Sequence, residues 1–148
     1  MTVDRAGPLT TEDRLGITEL FARYGWCFDG GDVEGFAGLF APDATYELDG
    51  GRRFVGHEQI RGYLAQAAAS AWFPGRQHHV DQILIDGTTE RATVRSYCTV
   101  TQRSADGGMS LVYLGRYADV CVRVGGRWLF QERVVRSWSS DEVRAARG

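Results

Sequence analysis

The sequence predicts an α+β fold, with N-terminal helices followed by an antiparallel sheet. Three observations carry that expectation. Apolar residues recur at helical spacing through the first third of the chain. The second half divides into four strand-like segments, His78–Ile85, Ala92–Arg103, Met109–Val122 and Trp128–Trp138. Two glycine turns, at Ala105-Asp106-Gly107-Gly108 and Val124-Gly125-Gly126, join three of them as a meander. Helices first and an antiparallel meander after them is the α+β order.

In chain order, Met1–Pro8 reads as a loose arm, and Thr10-Thr11-Glu12-Asp13 offers a hydroxyl cap and first-turn acids. Leu15, Ile17, Leu20, Phe21, Tyr24 and Phe28 then mark an amphipathic helix of about four turns. Gly30-Gly31 closes it, because glycine accepts the left-handed conformation. Asp32 caps a short second helix with an apolar face of Val33, Phe36, Leu39 and Phe40, and Pro42-Asp43 breaks it. Thr45–Leu48 and Arg52–Val55 flank a turn at Asp49-Gly50-Gly51. A third helix after Gly56 buries Ile60, Tyr63, Leu64 and Ala67, followed by a loop carrying Trp72 and Phe73. The expected organisation is one domain over residues 10–140 with flexible ends at 1–9 and 141–148.

Composition narrows the function. At 148 residues, 43% hydrophobic and 24% charged, the chain matches an ordinary globular protein. The net charge is −2, from 17 basic residues (all arginine) and 19 acidic ones. That balance argues against nucleic acid or an anionic membrane as partner. Cys27, Cys98 and Cys121 fit neither a disulfide framework nor a zinc knuckle. With no apolar N-terminal run and no stretch of the ~20 apolar residues a spanning helix needs, a cytoplasmic protein is expected.

Metal-binding spacings, phosphate-cradling glycine loops and nucleophile elbows are missing, so the expectation is chemistry without metal or cofactor. General acid/base work remains, for which histidine is the suited side chain near neutral pH. Of three histidines, His57 at a helix start reads as exposed. Strand alternation puts His78, Val80, Gln82 and Leu84 on one face and His79, Asp81, Ile83 and Ile85 on the other. One of the pair faces the helix-covered side, and a register slip of one residue would exchange His78 for His79. Asp29, at the end of the first helix, is the carboxylate best placed to face inward. The bland alternative is a turn residue at Asp29 and a hydrogen-bonded core histidine at His78.

Several stretches resemble the SnoaL-like group of the nuclear transport factor 2-like superfamily. They are Glu12-Asp13-Arg14 with Ile17 and Leu20, Tyr24 with Asp29 and Gly31-Asp32, and Leu39 through Tyr46. Gly56-His57-Glu58-Gln59-Ile60, His78 through Gln82, and Gly126-Arg127-Trp128 leading to Glu132-Arg133 complete the set. The resemblance implies a cone-shaped α+β barrel, in which a curved, mostly antiparallel sheet wraps around the N-terminal helices and encloses a deep pocket, and a homodimer or higher oligomer through the sheet. Scytalone dehydratase, bile acid 7α-dehydratase and lindane dehydrochlorinase resemble the chain at Asp29 and His78, which implies a base dyad. Tyr24 matches a catalytic tyrosine of the bile acid enzyme. Arg133 matches a pocket arginine of the dehydrochlorinase and Arg136 one of the bile acid enzyme. Strand alternation puts these two on opposite faces, with Arg133 favoured inward.

The implied site is Tyr24, Asp29 and His78 for catalysis, with Tyr46, Arg133, Trp26, Tyr63 and Trp72 binding a small hydrophobic cyclic substrate. Gln82 stands where many relatives have asparagine and would alter pocket polarity. Ketosteroid isomerases of this fold carry their base where this chain has Leu48, which disfavours that chemistry. The implied activity is a cofactor-independent lyase or isomerase. Alternatives are a polyketide cyclase of the same fold and a non-catalytic scaffold like the β subunits of ring-hydroxylating dioxygenases.

Overall fold

The first helix, α1 (Thr11–Gly30), starts at a reciprocal cap. The Thr10 hydroxyl accepts from the Asp13 N–H at 3.1 Å, while the Asp13 carboxylate accepts from the Thr10 N–H at 2.9 Å and its hydroxyl at 2.7 Å. The helix stops at Gly31, whose φ of 67° lets its N–H turn back to the Phe28 carbonyl. Asp32 then caps α2 (Val33–Ala37) by accepting from the Gly35 N–H at 2.9 Å. The computed structural model describes residues 6–138 and residue 145.

After α2 come β1 (Phe40–Glu47), a 3-10 turn at Asp49–Gly51, β2 (Arg53–Val55) and α3 (Gly56–Ala68). The rest is β3 (Arg76–Gly87), β4 (Arg91–Arg103), β5 (Met109–Val124) and β6 (Arg127–Ser137). The strands form one sheet in the order β2-β1-β6-β5-β4-β3. β1 runs parallel to β6 and every other pairing is antiparallel. Among the described residues β2 and β3 are the outer strands, so the sheet is not closed, and α1 packs against β3 and α3 against β1.

Alternation divides the sheet into faces. On β4, Ala92, Val94, Ser96, Cys98 and Val100 are buried, while Arg91, Thr93, Arg95 and Tyr97 are exposed. The buried side joins Ile17, Phe21, Tyr24 and Phe28 of α1 and Ile60 and Leu64 of α3 in one core.

The structure corrects several expectations. Phe40 lies opposite Phe130 in β1 and does not extend α2, and Pro42 sits inside β1, in the stretch where its register against β6 shifts. A residue without N–H is tolerated at such an irregularity. β3 contains a bulge: Asp81 lies opposite Tyr97 and Leu84 opposite Arg95, with Gln82 at φ 50°. The extra residue reverses the alternation, so Ile83 and Ile85 turn onto the core side with His78 and Val80, while Gln82 and Leu84 face out. Gln82 therefore lies on the outer face with Tyr97 and Trp138 and does not set pocket polarity. His57 is half-buried, its Nε2 donating to the Phe40 carbonyl at 2.7 Å. Pro8, expected in a loose arm, bridges Thr88, and the Thr89 N–H donates to the Gly7 carbonyl at 3.0 Å. Residues 1–5 and, residue 145 apart, the end expected at 141–148 lie outside the described residues.

Asp13 does more than cap. Its second oxygen accepts from Trp128 Nε1 at 3.2 Å and Arg123 Nη1 at 3.3 Å, tying the start of α1 to the β5–β6 hairpin. Its pKa is lowered, chiefly by the Thr10 backbone N–H and then the Thr10 hydroxyl. An acid with a depressed folded pKa contributes stability above its unfolded pKa and loses that contribution as pH falls through the folded value. We expect Asp13→Asn to lower unfolding free energy by about 1–2 kcal/mol at pH 7. Urea titrations below the unfolded value of 3.8 should show the gap to wild type closing.

Candidate active site

His78 and Asp29 meet where the end of α1 crosses the start of β3. Asp29 Oδ1 lies 2.6 Å from His78 Nδ1, and Asp29 Oδ2 accepts the His78 backbone N–H at 2.8 Å. β3 is an edge strand, so that N–H points where no neighbouring strand can pair it, and the carboxylate takes it. With Asp29 ionised, Nδ1 carries the proton and Nε2 keeps its lone pair. The imidazole is held by packing as well: its ring stands 4.7 Å from that of Phe28 and 6.0 Å from that of Tyr24 at 88°. His79 is exposed and faces outward, its Nε2 2.9 Å from Thr101 Oγ1.

His78 lines a cavity of about 440 Å³ between the sheet, α1 and α3. That volume suits a small organic molecule. Phe28, Leu48, Val100 and Val135 supply apolar wall. Tyr24 and Tyr46, both buried, join hydroxyl to hydroxyl at 2.7 Å in the same cavity, with Tyr63 beside them. Burial raises the phenol pKa values of Tyr24, Tyr46 and Tyr117, which keeps them protonated as donors. Trp72 stands at the rim, 43% exposed.

Two expected site residues are placed elsewhere. Trp26 is 84% exposed and lines a groove on the outside, between α1 and β3. Two residues beyond Tyr24, it is turned by about 200° around the helix. Arg133 points inward as favoured, and Arg136 points to the other face, bonded to Glu47. Yet Arg133 does not reach the cavity: its guanidinium is stacked 3.9 Å from the Tyr24 ring and 3.7 Å from the Tyr117 ring, which cover it. Its ion-pair partner is buried Asp119 at 3.5 Å. Burial pushes the Asp119 pKa up to about 7 against the opposing pull of Arg133.

Residues that the sequence did not single out also line the cavity. Tyr117 accepts from Cys98 Sγ at 2.8 Å, and Arg52 and Arg76 reach the lining from the two edges of the sheet. Strand parity could have marked Cys98 and Tyr117 as inward. Nothing local marks the arginines. Among the described residues no cluster of His, Cys, Asp or Glu could hold a metal ion, and no helix is long and apolar enough to cross a membrane.

The SnoaL-like domain family matches residues 9–134. The chain belongs to the SnoaL-like family, and its fold is the α+β cone of nuclear transport factor 2-like proteins. It is similar to a protein of unknown function from Mycobacterium tuberculosis, with 30% identity over 89% of this chain and 76% of that one, at a TM-score of 0.79. A Nostoc punctiforme protein of unknown function with a cystatin-like fold shares 28% identity over 89% of this chain and 96% of that one, at 0.80. A scytalone dehydratase candidate from Novosphingobium aromaticivorans shares 25% over 86% of this chain and 85% of that one, at 0.76. Among curated proteins none matches the chain significantly.

The Arg133–Asp119 pair gives a test of why the cation is buried. Removing one member of a buried pair strands the other charge, typically at roughly 3–5 kcal/mol. Arg133→Met should fall in that range by urea unfolding, and Arg133→Met with Asp119→Leu should be less destabilised than the single change.

Proposed function

We propose that the protein is a cofactor-independent lyase of dehydratase type, or an isomerase, acting on a hydrophobic cyclic small molecule. The observation that supports it is the double engagement of His78 by Asp29 at the wall of an apolar cavity. His78 Nε2 takes a proton from carbon next to a carbonyl or leaving group. Asp29 stabilises the imidazolium that results, and the Tyr24–Tyr46 pair donates to the oxygen that gains charge. Hydrogen-bond donors aimed at developing charge are usually the largest electrostatic contribution to such a step. Elimination, isomerisation and aldol cyclisation share this carbon-acid step and diverge only after it. The exposed outer-face residues Leu84, Tyr97 and Leu114 support assembly of identical chains through the sheet. Leu114→Glu should then lower the mass measured by sedimentation, and an unchanged mass would exclude that surface.

The test measures carbon-bound hydrogen exchange in D2O across a panel of cyclic ketones and β-hydroxy ketones, read by mass spectrometry. We expect at least one compound to exchange or lose water with the wild type. His78→Ala should then be slower by about 10²–10⁴-fold with an unchanged circular dichroism spectrum. Undiminished exchange in His78→Ala would remove the histidine from the reaction.

A further inference from the structure

We propose that the cavity takes an anionic substrate: an aromatic or alicyclic carboxylate with its ring in the cavity and its charge at the mouth. This rests on the reading that the cavity is the substrate site, and it adds the chemical class of what enters. Arg52, just before β2, and Arg76, at the start of β3, reach the same cavity from opposite edges of the sheet. Neither lies within ion-pair distance of a carboxylate among the described residues. Both guanidinium charges act on the Tyr63 hydroxyl, lowering its pKa against the larger opposing effect of burial. Two permanent cations therefore converge on one rim in a chain whose net charge is −2.

Among the described residues the one acid in the lining is already engaged. Asp49 accepts from the Tyr113 hydroxyl at 2.9 Å and from the Ser137 N–H at 2.8 and 3.1 Å. Arg76 is held for recognition: its guanidinium lies 4.5 Å from the Trp72 ring centre, and its Nε donates to the Trp72 carbonyl at 3.1 Å. Its two terminal nitrogens have no partner among the described residues. A guanidinium fixed in this way presents the planar fork that carboxylates accept. Deeper in, the wall is apolar and the phenols are neutral, so the negative charge belongs at the rim. The resulting order, apolar ring inside and carboxylate outside, fixes which end of the substrate meets His78.

The probes are 2-naphthoate and 2-naphthamide, alike in shape and different in charge, titrated by calorimetry at low ionic strength. We expect naphthoate to bind about tenfold more tightly than naphthamide. Arg52→Gln with Arg76→Gln should bring the ratio to about one while leaving naphthamide affinity in place, and added salt should reduce the ratio in wild type. Equal or tighter binding of the amide by wild type, a preference that survives the double change, or no saturable naphthoate binding would overturn the proposal. His78→Ala retains both arginines, so a retained naphthoate preference in a variant that has lost exchange activity separates the charge of the ligand from the role of the histidine.

Discussion

One carboxylate holds the working geometry together. Asp29 binds the side chain and the backbone of His78 at once, joining the last turn of α1 to the edge strand β3. Either bond alone would leave freedom: the ring bond permits the strand to slide, and the backbone bond permits the imidazole to rotate. Both together fix tautomer, ring direction and strand position. Gly25 adds to this, since an atom at its Cβ position would lie 3.7 Å from His78, showing how closely the helix passes over the strand. The carboxylate also covers an unpaired N–H on a sheet edge, where an exposed donor invites pairing with another chain.

Beneath the phenols lies the opposite arrangement, a charge with little to bond to. Among the described residues Arg133 has no hydrogen-bond partner for any side-chain nitrogen, and Asp119 none for either oxygen, although the two lie 3.5 Å apart. Four aromatic rings surround the guanidinium: Tyr24, Tyr117, Phe21 and Phe130. Their negative faces supply part of the stabilisation that water would have given. The cation in turn draws on the two phenols it touches and opposes the rise that burial gives their pKa values. Arg133 therefore acts behind the cavity wall, through Tyr24 and Tyr117, and the ring layer keeps it from any ligand.

How far each feature is legible in the sequence depends on the range of its signal. The caps at Thr10 and Asp32 and the glycine stop at Gly31 are local, and they read directly. Alternation also turns one of His78 and His79 inward, since both precede the bulge, but it leaves open which of the two. Ile83, Ile85 and Gln82 come after the bulge, and plain alternation assigns them to the wrong faces; Gln82 takes its positive φ without a glycine to announce it. Trp26 is a misreading the sequence could have avoided, since helical geometry alone separates it from Tyr24. Alternation puts Arg133 and Arg136 on opposite faces but cannot show the aromatic layer between Arg133 and the cavity, which depends on contacts from α1 and β5. The arginines at the mouth come together only because the two free edges of the open sheet face the same opening.

The polarity of the cavity and the properties of its hydroxyl pair belong together. Tyr24 and Tyr46 share one hydrogen bond 2.7 Å long, so one hydroxyl spends its proton on the other and the acceptor keeps a proton to give. A chain of this kind strengthens the outermost donor, since each bond polarises the next. That benefit lasts only while both phenols stay neutral, because ionisation of either would put a negative charge where the proposed reaction would also develop one. Burial keeps them neutral, and Arg133 limits the cost without entering the cavity. A carboxylate carried into this depth would face the same penalty as an ionised phenol. On the proposed reading, cations at the rim and neutral donors inside meet one constraint: negative charge is received at the mouth at binding and tolerated inside only as the proposed reaction creates it.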